Sequence, residues 1–268
     1  MIPYLEYDKS FHCVLHFVNY IHNLLYSPMD LSIIIPTLNE ENYIEKTLDY
    51  VFNNQSGRFK IEVIIVDSGS IDDTVNLTSN YDVTIFEKPE FIGNKYLSLN
   101  YGAKMSRGTN FLFLDADCLL PFDYDFSITN VLKNKNVVGG AFEFEMSGKG
   151  ILFGIIKIIN RIRYRIVKRY YGDQGVFCNK NAFDTIGGYP EKPIMEAAYF
   201  CNKLSKVGSL KLIKSKITSS TRRFEEGGIL KVMAKDTFIW IQFLMGLDIS
   251  KYASKYWEEN KLRGSNPN

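Results

Sequence analysis

Four short runs, each of strand length and mostly apolar, punctuate the first half of the chain: "LSIIIP" (31–36), "IEVIIVD" (61–67), "VTIFEK" (83–88) and "FLFLD" (111–115). Strands apolar on both faces need cover on both faces. The segments between them supply it. "EENYIEKTLDYVFNN" (40–54) places Ile44, Leu48, Val51 and Phe52 at helical spacing, and "DDTVNLTSN" (72–80) and "KYLSLNYGAKMS" (95–106) also read as helices. Strand and helix in alternation predict an α/β fold: a parallel sheet with helices on both sides. At 268 residues and 46% hydrophobic composition, the chain can bury such a core.

Ligands bind such sheets beyond the carboxyl ends of the strands. The polar residues collect there. Pro36-Thr37-Leu38-Asn39-Glu40 follows the first run, Asp67-Ser68-Gly69-Ser70 the second, and Asp115-Ala116-Asp117 ends the fourth. Two carboxylates two residues apart on a strand point to one side. They repel unless a cation lies between them. Hard oxygen ligands select Mg2+ or Mn2+, whose remaining positions suit diphosphate oxygens. A cation so placed stabilises the charge on a departing phosphate.

Composition removes several alternatives. All three histidines, His12, His16 and His22, precede residue 30. A Ser-His-Asp or Cys-His site is therefore excluded from the main domain, and proton transfer falls to carboxylates, Lys, Tyr or water. His12 and His16 can share a helix face, but no Glu follows His12 as the metalloprotease motif requires. Cys13, Cys118, Cys178 and Cys201 form no C-x-x-C pair and read as reduced core thiols, which suits a cytoplasmic setting. A formal net charge of +2 gives no overall attraction to nucleic acid. No G-x-G-x-x-G follows "LSIIIP", which sets aside a dinucleotide oxidoreductase. "PTLNEEN" also lacks the basic, glycine-rich loop of a nucleotidyltransferase.

"FHCVLHFVNYIHNLL" (11–25) contains no Lys, Arg, Asp or Glu. It is shorter than the ~20 residues of a membrane span, and it lacks the basic start and cleavage site of a signal peptide. Packing on the domain is its simpler reading; lying on a membrane surface is the other. The second half reads as strand 137–145, helix 150–172, strand 175–180, helix 195–208, strand 210–220 and a long amphipathic helix 228–247. In helix 150–172, Ile155, Ile158, Ile159, Ile162 and Ile166 form one face. Lys157, Arg161, Arg165, Lys168 and Arg169 decorate the rest, with no acid from 146 to 172. The basic side is either solvated or in contact with an anionic acceptor or membrane. The expected organisation is an N-terminal helical extension (1–28), a main domain (29–225), C-terminal helices (226–259) and a disordered tail (260–268).

"SIIIPTLNEENYIEKTL", "VIIVDSGSIDDT" and "LNYGAKMSRGTNFLFLDAD" resemble the family 2 glycosyltransferases. "GDQGVFCNKNAFDTIGGYPEKPIME" and "STRRFEEGGIL" resemble one bacterial-type branch of that family. The resemblance runs from about residue 31 to about 247 and implies the GT-A fold: a mostly parallel central sheet with helices on both faces and C-terminal helices. It further implies inverting transfer from a UDP- or GDP-linked sugar with Mn2+ or Mg2+. Pro36, Thr37 and Glu40 would line the nucleoside pocket. Asp67 would meet the base or ribose, and Ser68 stands where many members carry a second Asp. Asn100 would edge the donor site. Asp115 would face ribose and diphosphate, and Asp117 would bind the metal. Asp173 and Gln174 would lie in the sugar or acceptor region, and Arg222 and Arg223 would hold the leaving diphosphate. The basic helix and segment 11–25 together suggest peripheral attachment to an anionic membrane, where a lipid-linked acceptor would be found.

One position departs from the family. Its members carry Glu-Asp at the start of the helix after "GGYP", the Asp being the base that deprotonates the acceptor. Here Met195-Glu196-Ala197-Ala198 occupies that place. Either Glu196 or Asp173 serves as base, or the chain is a degenerate member that binds donor with impaired turnover.

Overall fold

The computed structural model describes residues 28–167 and 169–253. The expectations for 11–25, its histidines, Cys13, Lys168 and the tail 260–268 lie outside the described residues.

Strand β1 (Leu31–Thr37) lies between β2 (Ile61–Asp67) and β4 (Asn110–Phe113), with β3 (Thr84–Glu87) beyond β2. All three pairings are parallel, as the alternating pattern predicts. Side chains of β1 alternate between two cores. Leu31, Ile33 and Ile35 pack with Ile44, Leu48 and Val51 of helix α1 (Ile44–Asn53). Helix α2 (Thr74–Thr78) leads toward β3. On the opposite face, Ile34 meets Leu99 and Ala103 of helix α3 (Lys95–Met105). A Cβ on Gly102 would stand 2.5 Å from Ile34 Cγ2, so a glycine is what lets α3 lie directly on β1.

The sheet continues past β4 in mixed orientation. β7 (Val176–Asn179) runs antiparallel to β4, and β6 (Val137–Met146) antiparallel to β7. β8 (Ser209–Ser219) is parallel to β6, and β5 (Cys118–Leu119) closes the edge antiparallel to β8. Helix α4 (Tyr124–Leu132) covers the α1 side through Tyr124 and Ile128. Helices α5 (Ile151–Val167), α6 (Lys180–Ile186) and α7 (Glu196–Leu204) contribute to the other core. Short α8 (Arg222–Gly227) and long α9 (Ile229–Leu244) follow β8. Cys118, Cys178 and Cys201 are buried free thiols, as expected.

Helix α5 overturns the expected orientation. Its buried residues are Phe153, Ile156 and Tyr164. Three of its basic residues, though partly exposed, turn onto β6. Lys157 Nζ lies 2.8 Å from Glu145 Oε1, Arg161 Nε 2.8 Å from Glu143 Oε1, and Arg165 Nη2 3.1 Å from Glu143 Oε2. Tyr164 donates to Glu143 Oε1 at 2.7 Å. The cause is on the strand. Glu143 is buried, and a buried carboxylate demands cations or donors. Burial alone would raise its pKa, but the donors from Tyr164 and Arg165 outweigh that and lower it. Glu145 is drawn down to about 2 against its own burial by Lys157 and Lys216. The isoleucines are left outside, with Ile155 42%, Ile158 56% and Ile162 54% exposed.

Candidate active site

A cavity of about 360 Å³ opens beyond the carboxyl ends of β1, β2 and β4. One wall is the loop after β1: Pro36, Thr37, Leu38, Asn39 and Glu40. The chain turns there through a left-handed Asn39, φ 56°. Asn39 N donates to Ser70 Oγ at 2.8 Å, Glu40 N to Thr74 Oγ1 at 2.7 Å, and Ile71 N to Asn39 Oδ1 at 2.9 Å. These bonds sew the loop after β1 to the loop after β2.

Asp67 is the knot beneath that seam. It is 1% exposed and accepts from Thr37 Oγ1, Gly69 N, Ser70 N and Ser70 Oγ. Gly69 takes φ +92°, a region that favours glycine, which brings its N–H onto that carboxylate. Ser68 lines the cavity and shares a hydroxyl bond with Ser98 at 2.9 Å. Asp67 itself does not reach the lining among the described residues, and neither does Asn100. Asn100 instead binds Tyr189 through both its N–H and its carbonyl, tying α3 to the chain before α7.

Asp115 and Asp117 both reach the cavity. Each has found a cation. Lys95 Nζ is 2.5 Å from Asp115 Oδ1 and 3.6 Å from Glu196 Oε1. Arg222 grips Glu40 with two bonds of 2.6 Å, places its Nε 3.4 Å from Asp117 Oδ2, and lies 4.5 Å above the Tyr43 ring. Arg223 also borders the cavity and pairs with Asp236. Glu196 begins α7 after a left-handed Met195, φ 58°, and both Glu196 and Ala197 line the cavity. Asp173 and Gly172 close the floor; a Cβ on Gly172 would meet Asp115 Oδ2 at 3.0 Å and Lys95 Nζ at 3.1 Å. Gln174 is buried behind them, its amide donating to Phe142 O at 3.2 Å.

The electrostatics are those of an acidic excess. Six acids (Glu40, Asp115, Asp117, Asp173, Glu196, Asp236) face four bases (Lys95, Arg163, Arg222, Arg223), a formal surplus of two negative charges. Burial pushes Glu40 up to about 7, even with Arg222 on both oxygens pulling the other way. Burial and the charge of Asp115 push Asp173 up to about 6. Asp117 and Glu196 are raised by burial as well, with Arg222 and Lys95 respectively opposing. A surplus of two negative charges, in hard oxygen ligands, fits a divalent cation. Among the described residues no three His, Cys, Asp or Glu side chains are grouped to hold one by themselves. Asp117 and Asp115 would be the residues to hold such an ion.

Among the cavity residues that went unread in the sequence are Lys95, Asn160, Arg163 and Tyr171. Lys95 carried a signal, a cation in the first turn of the helix that leads into β4. The other three carried none, because they sit on and after α5, whose orientation is set by Glu143.

The Glycosyl transferase family 2 model matches residues 32–186, more than half of the chain. A PGL/p-HBAD biosynthesis glycosyltransferase of Mycobacterium bovis is 28% identical over 177 residues, covering 61% of this chain and 64% of that one. An uncharacterized glycosyltransferase of Mycoplasma genitalium is 27% identical over 180 residues, 65% of this chain and 53% of that protein. AglE of Haloferax volcanii is 33% identical over 93 residues, 33% of this chain and 32% of its own. The chain thus spans roughly a third to under two thirds of these relatives. Among solved structures, S. aureus TarS in complex with UDP aligns with a TM-score of 0.57 at 18% identity, over 72% of this chain and 60% of that one. The mannosyltransferase PcManGT from Pyrobaculum calidifontis, in complex with GDP-Man and Mn2+, aligns with a TM-score of 0.53 at 20% identity, over 79% and 66%. These two likenesses show the fold, which is GT-A. With a family model spanning more than half of its length, the chain belongs to glycosyl transferase family 2.

Proposed function

We propose that the chain transfers a glycosyl unit, with inversion, from a UDP- or GDP-linked donor to an acceptor oxygen. The observation that carries this reading is the meeting of Asp115, Asp117, Arg222 and Glu196 in one cavity at the carboxyl rim of the sheet. The nucleoside lies along Pro36–Glu40 and Ser68. Asp67 shapes that wall from behind. Asp117, with Asp115, would hold a divalent ion, which when bound would supply positive charge for the departing diphosphate. Arg222 must release Glu40 and Asp117 as the diphosphate arrives, and its planar fork then grips phosphate oxygens.

Glu196 is the base. It removes the proton from the acceptor hydroxyl as that oxygen bonds to the anomeric carbon. The bond from this carbon to the diphosphate oxygen breaks, and the nucleoside diphosphate leaves with the electron pair. Attack from the side opposite the leaving group inverts the anomeric centre. Lys95 holds Glu196 and Asp115 in register from between them. Burial raises the Glu196 pKa, which strengthens it as a base toward the acceptor proton.

A second reading is that of a donor-binding protein with crippled transfer. It rests on Ala197, whose methyl lines the cavity where the family carries Asp. Single-turnover assays with Mn2+ and a panel of UDP- and GDP-sugars separate the two. Glu196→Gln should lower turnover by ~10²–10⁴-fold while leaving donor affinity within about twofold. Ala197→Asp raising a slow wild-type rate, with Glu196→Gln silent, would establish the second reading instead.

A further inference from the structure

Of the six carboxylates that line the cavity, five are ion-paired. Asp115 and Glu196 share Lys95, Glu40 and Asp117 share Arg222, and Asp236 has Arg223. Asp173 is the exception. Among the described residues its carboxylate makes no ion pair and takes no hydrogen bond; only its backbone carbonyl is bonded, by Cys118 Sγ at 3.8 Å. Its charge is felt all the same. Arg163 and Arg223 act on it from a distance, against Asp115 and Asp117. The Arg163 guanidinium is held elsewhere, 4.2 Å from the centre of the Tyr171 ring and 5.7 Å from that of Trp240. Aromatic faces fix a guanidinium without discharging it. The charge of Asp173 is thus offset through space, while no described side chain donates to its oxygens.

The turn that carries Asp173 is fixed in place. Gln174 accepts from Tyr171 N and donates to Phe142 O, both at 3.2 Å, and Gly175 N donates to Gly172 O at 3.1 Å. Gly172 brings this turn against the acidic centre, since a Cβ there would stand 3.0 Å from Asp115 Oδ2 and 3.1 Å from Lys95 Nζ. Asp173 therefore stands next to the Asp115 and Lys95 pair, and Lys95 in turn reaches Glu196. On the glycosyl-transfer reading, the diphosphate lies at one end of that row and the base at the other. The transferred sugar occupies the space between them.

A carboxylate set in a desolvated wall requires donors, and in its ionised form it can only accept. The diphosphate has no donor to offer; the sugar has hydroxyls. Resting on the glycosyl-transfer reading, we infer that Asp173 reads hydroxyl groups of the transferred sugar, and that this sugar is neutral rather than a uronic acid. A sugar carboxylate would face Asp173 with no cation to spare, because all four cavity cations already serve acids. Like charges so juxtaposed are strongly disfavoured. The formal surplus of two negative charges in the cavity points the same way. A divalent ion would offset that surplus, and the donor's own diphosphate restores it.

The test is calorimetry of the full chain with Mn2+ at about pH 8. That lies above the value of about 6 to which burial lifts Asp173, so its carboxylate is charged. UDP and GDP are titrated first. Donor pairs follow that differ only in a hydroxymethyl or a carboxylate on the ring: UDP-glucose and UDP-glucuronic acid, UDP-galactose and UDP-galacturonic acid, GDP-mannose and GDP-mannuronic acid. Wild type should bind the neutral member of its preferred pair about tenfold or more tighter than the acidic one. Asp173→Asn removes the charge and keeps the shape, and should shrink that gap to roughly threefold or less. Asp173→Ala should weaken the neutral donor about tenfold or more, with UDP or GDP affinity held within about twofold. Deoxy forms of the donor identify the hydroxyl: the one whose loss costs wild type as much should cost Asp173→Ala nothing further. Neither variant should melt earlier than wild type, since no hydrogen bond of the protein is removed. Equal loss of nucleoside diphosphate and nucleotide-sugar affinity in Asp173→Ala would assign the residue to the phosphates or the fold and overturn the inference. A variant that binds and hydrolyses every donor like wild type, and fails only in transfer, overturns it too, by assigning Asp173 to the acceptor. Wild type that binds UDP or GDP but takes both sugars of every pair alike, or prefers the acid, sinks this inference alone. Wild type that binds neither nucleotide sinks the glycosyl-transfer reading with it.

Discussion

Glu143→Ala tests whether α5 is held by its polar face. The carboxylate is 6% exposed and meets three partners: Tyr164 OH at 2.7 Å, Arg161 Nε at 2.8 Å and Arg165 Nη2 at 3.1 Å. Removing it leaves a buried Tyr164 hydroxyl unsatisfied, which costs ~1–3 kcal/mol. Arg161 and Arg165 are 35% and 57% exposed and can rehydrate, so each adds only ~0.5–1 kcal/mol. The expected loss is about 2–5 kcal/mol, or a fall of roughly 4–20 °C in melting temperature for a chain of this size. Tyr164→Phe should cost less, and the double variant less than the sum, because both remove one bond. The pH dependence gives an independent check. Glu143 has a lowered folded pKa, so its contribution is present above the unfolded value of ~4.3 and fades as pH falls below it. Urea titrations of wild type and variant should therefore differ fully at pH 6 and draw together as pH falls below ~4.3. A loss under ~0.5 kcal/mol at pH 6, the level of an ordinary surface change, would refute the arrangement and expose the basic face instead.

Asp117→Ala should weaken Mn2+-dependent UDP binding at least tenfold by calorimetry, and Mn2+ alone should bind poorly to wild type, since the phosphates complete its shell. Asp67→Ala should lower the melting temperature and loosen the 67–70 loop together, four hydrogen bonds being lost; nucleoside affinity falling with no change in melting would mean that Asp67 touches the ligand. Glu40 and Asp173 hold protons longer folded than unfolded, so ligand-free stability should fall as pH rises from about 4 to about 7. Glu40→Gln should flatten that fall in melts above about pH 5.5, where Glu143 and Glu145 are already ionised in both states.

The parallel half of the fold was legible because its signals are local. A run such as "SIIIP" is apolar at every position, so its sheet neighbours on both faces follow from the run itself. The rim followed too, because carboxyl ends of parallel strands coincide in space. What remained hidden depends on pairs distant in sequence. Asp67 and Asn100 read as donor contacts through the family resemblance; that their polar atoms are taken up by Ser70 and Tyr189 is a matter of loop closure. Glu196 was named through the resemblance, but the left-handed turn at Met195 that precedes it at the cavity is not encoded in periodicity.

Helix α5 shows the general reason. Its apolar stripe reads as a buried face because burial of isoleucine stabilises by ~1.5–3 kcal/mol per side chain. That argument holds only when the facing surface is apolar. Here the facing strand offers Glu143 and Glu145 beside Phe144 and Met146. An unpaired buried carboxylate costs more than one exposed isoleucine returns. Charge matching therefore outweighs apolar burial and rotates the helix, turning Lys157, Arg161 and Arg165 onto the strand. The rotation also sets Arg163 against Tyr171 and the isoleucines outside. Acids on one strand thus decide both the wall of the site and the surface that surrounds its mouth.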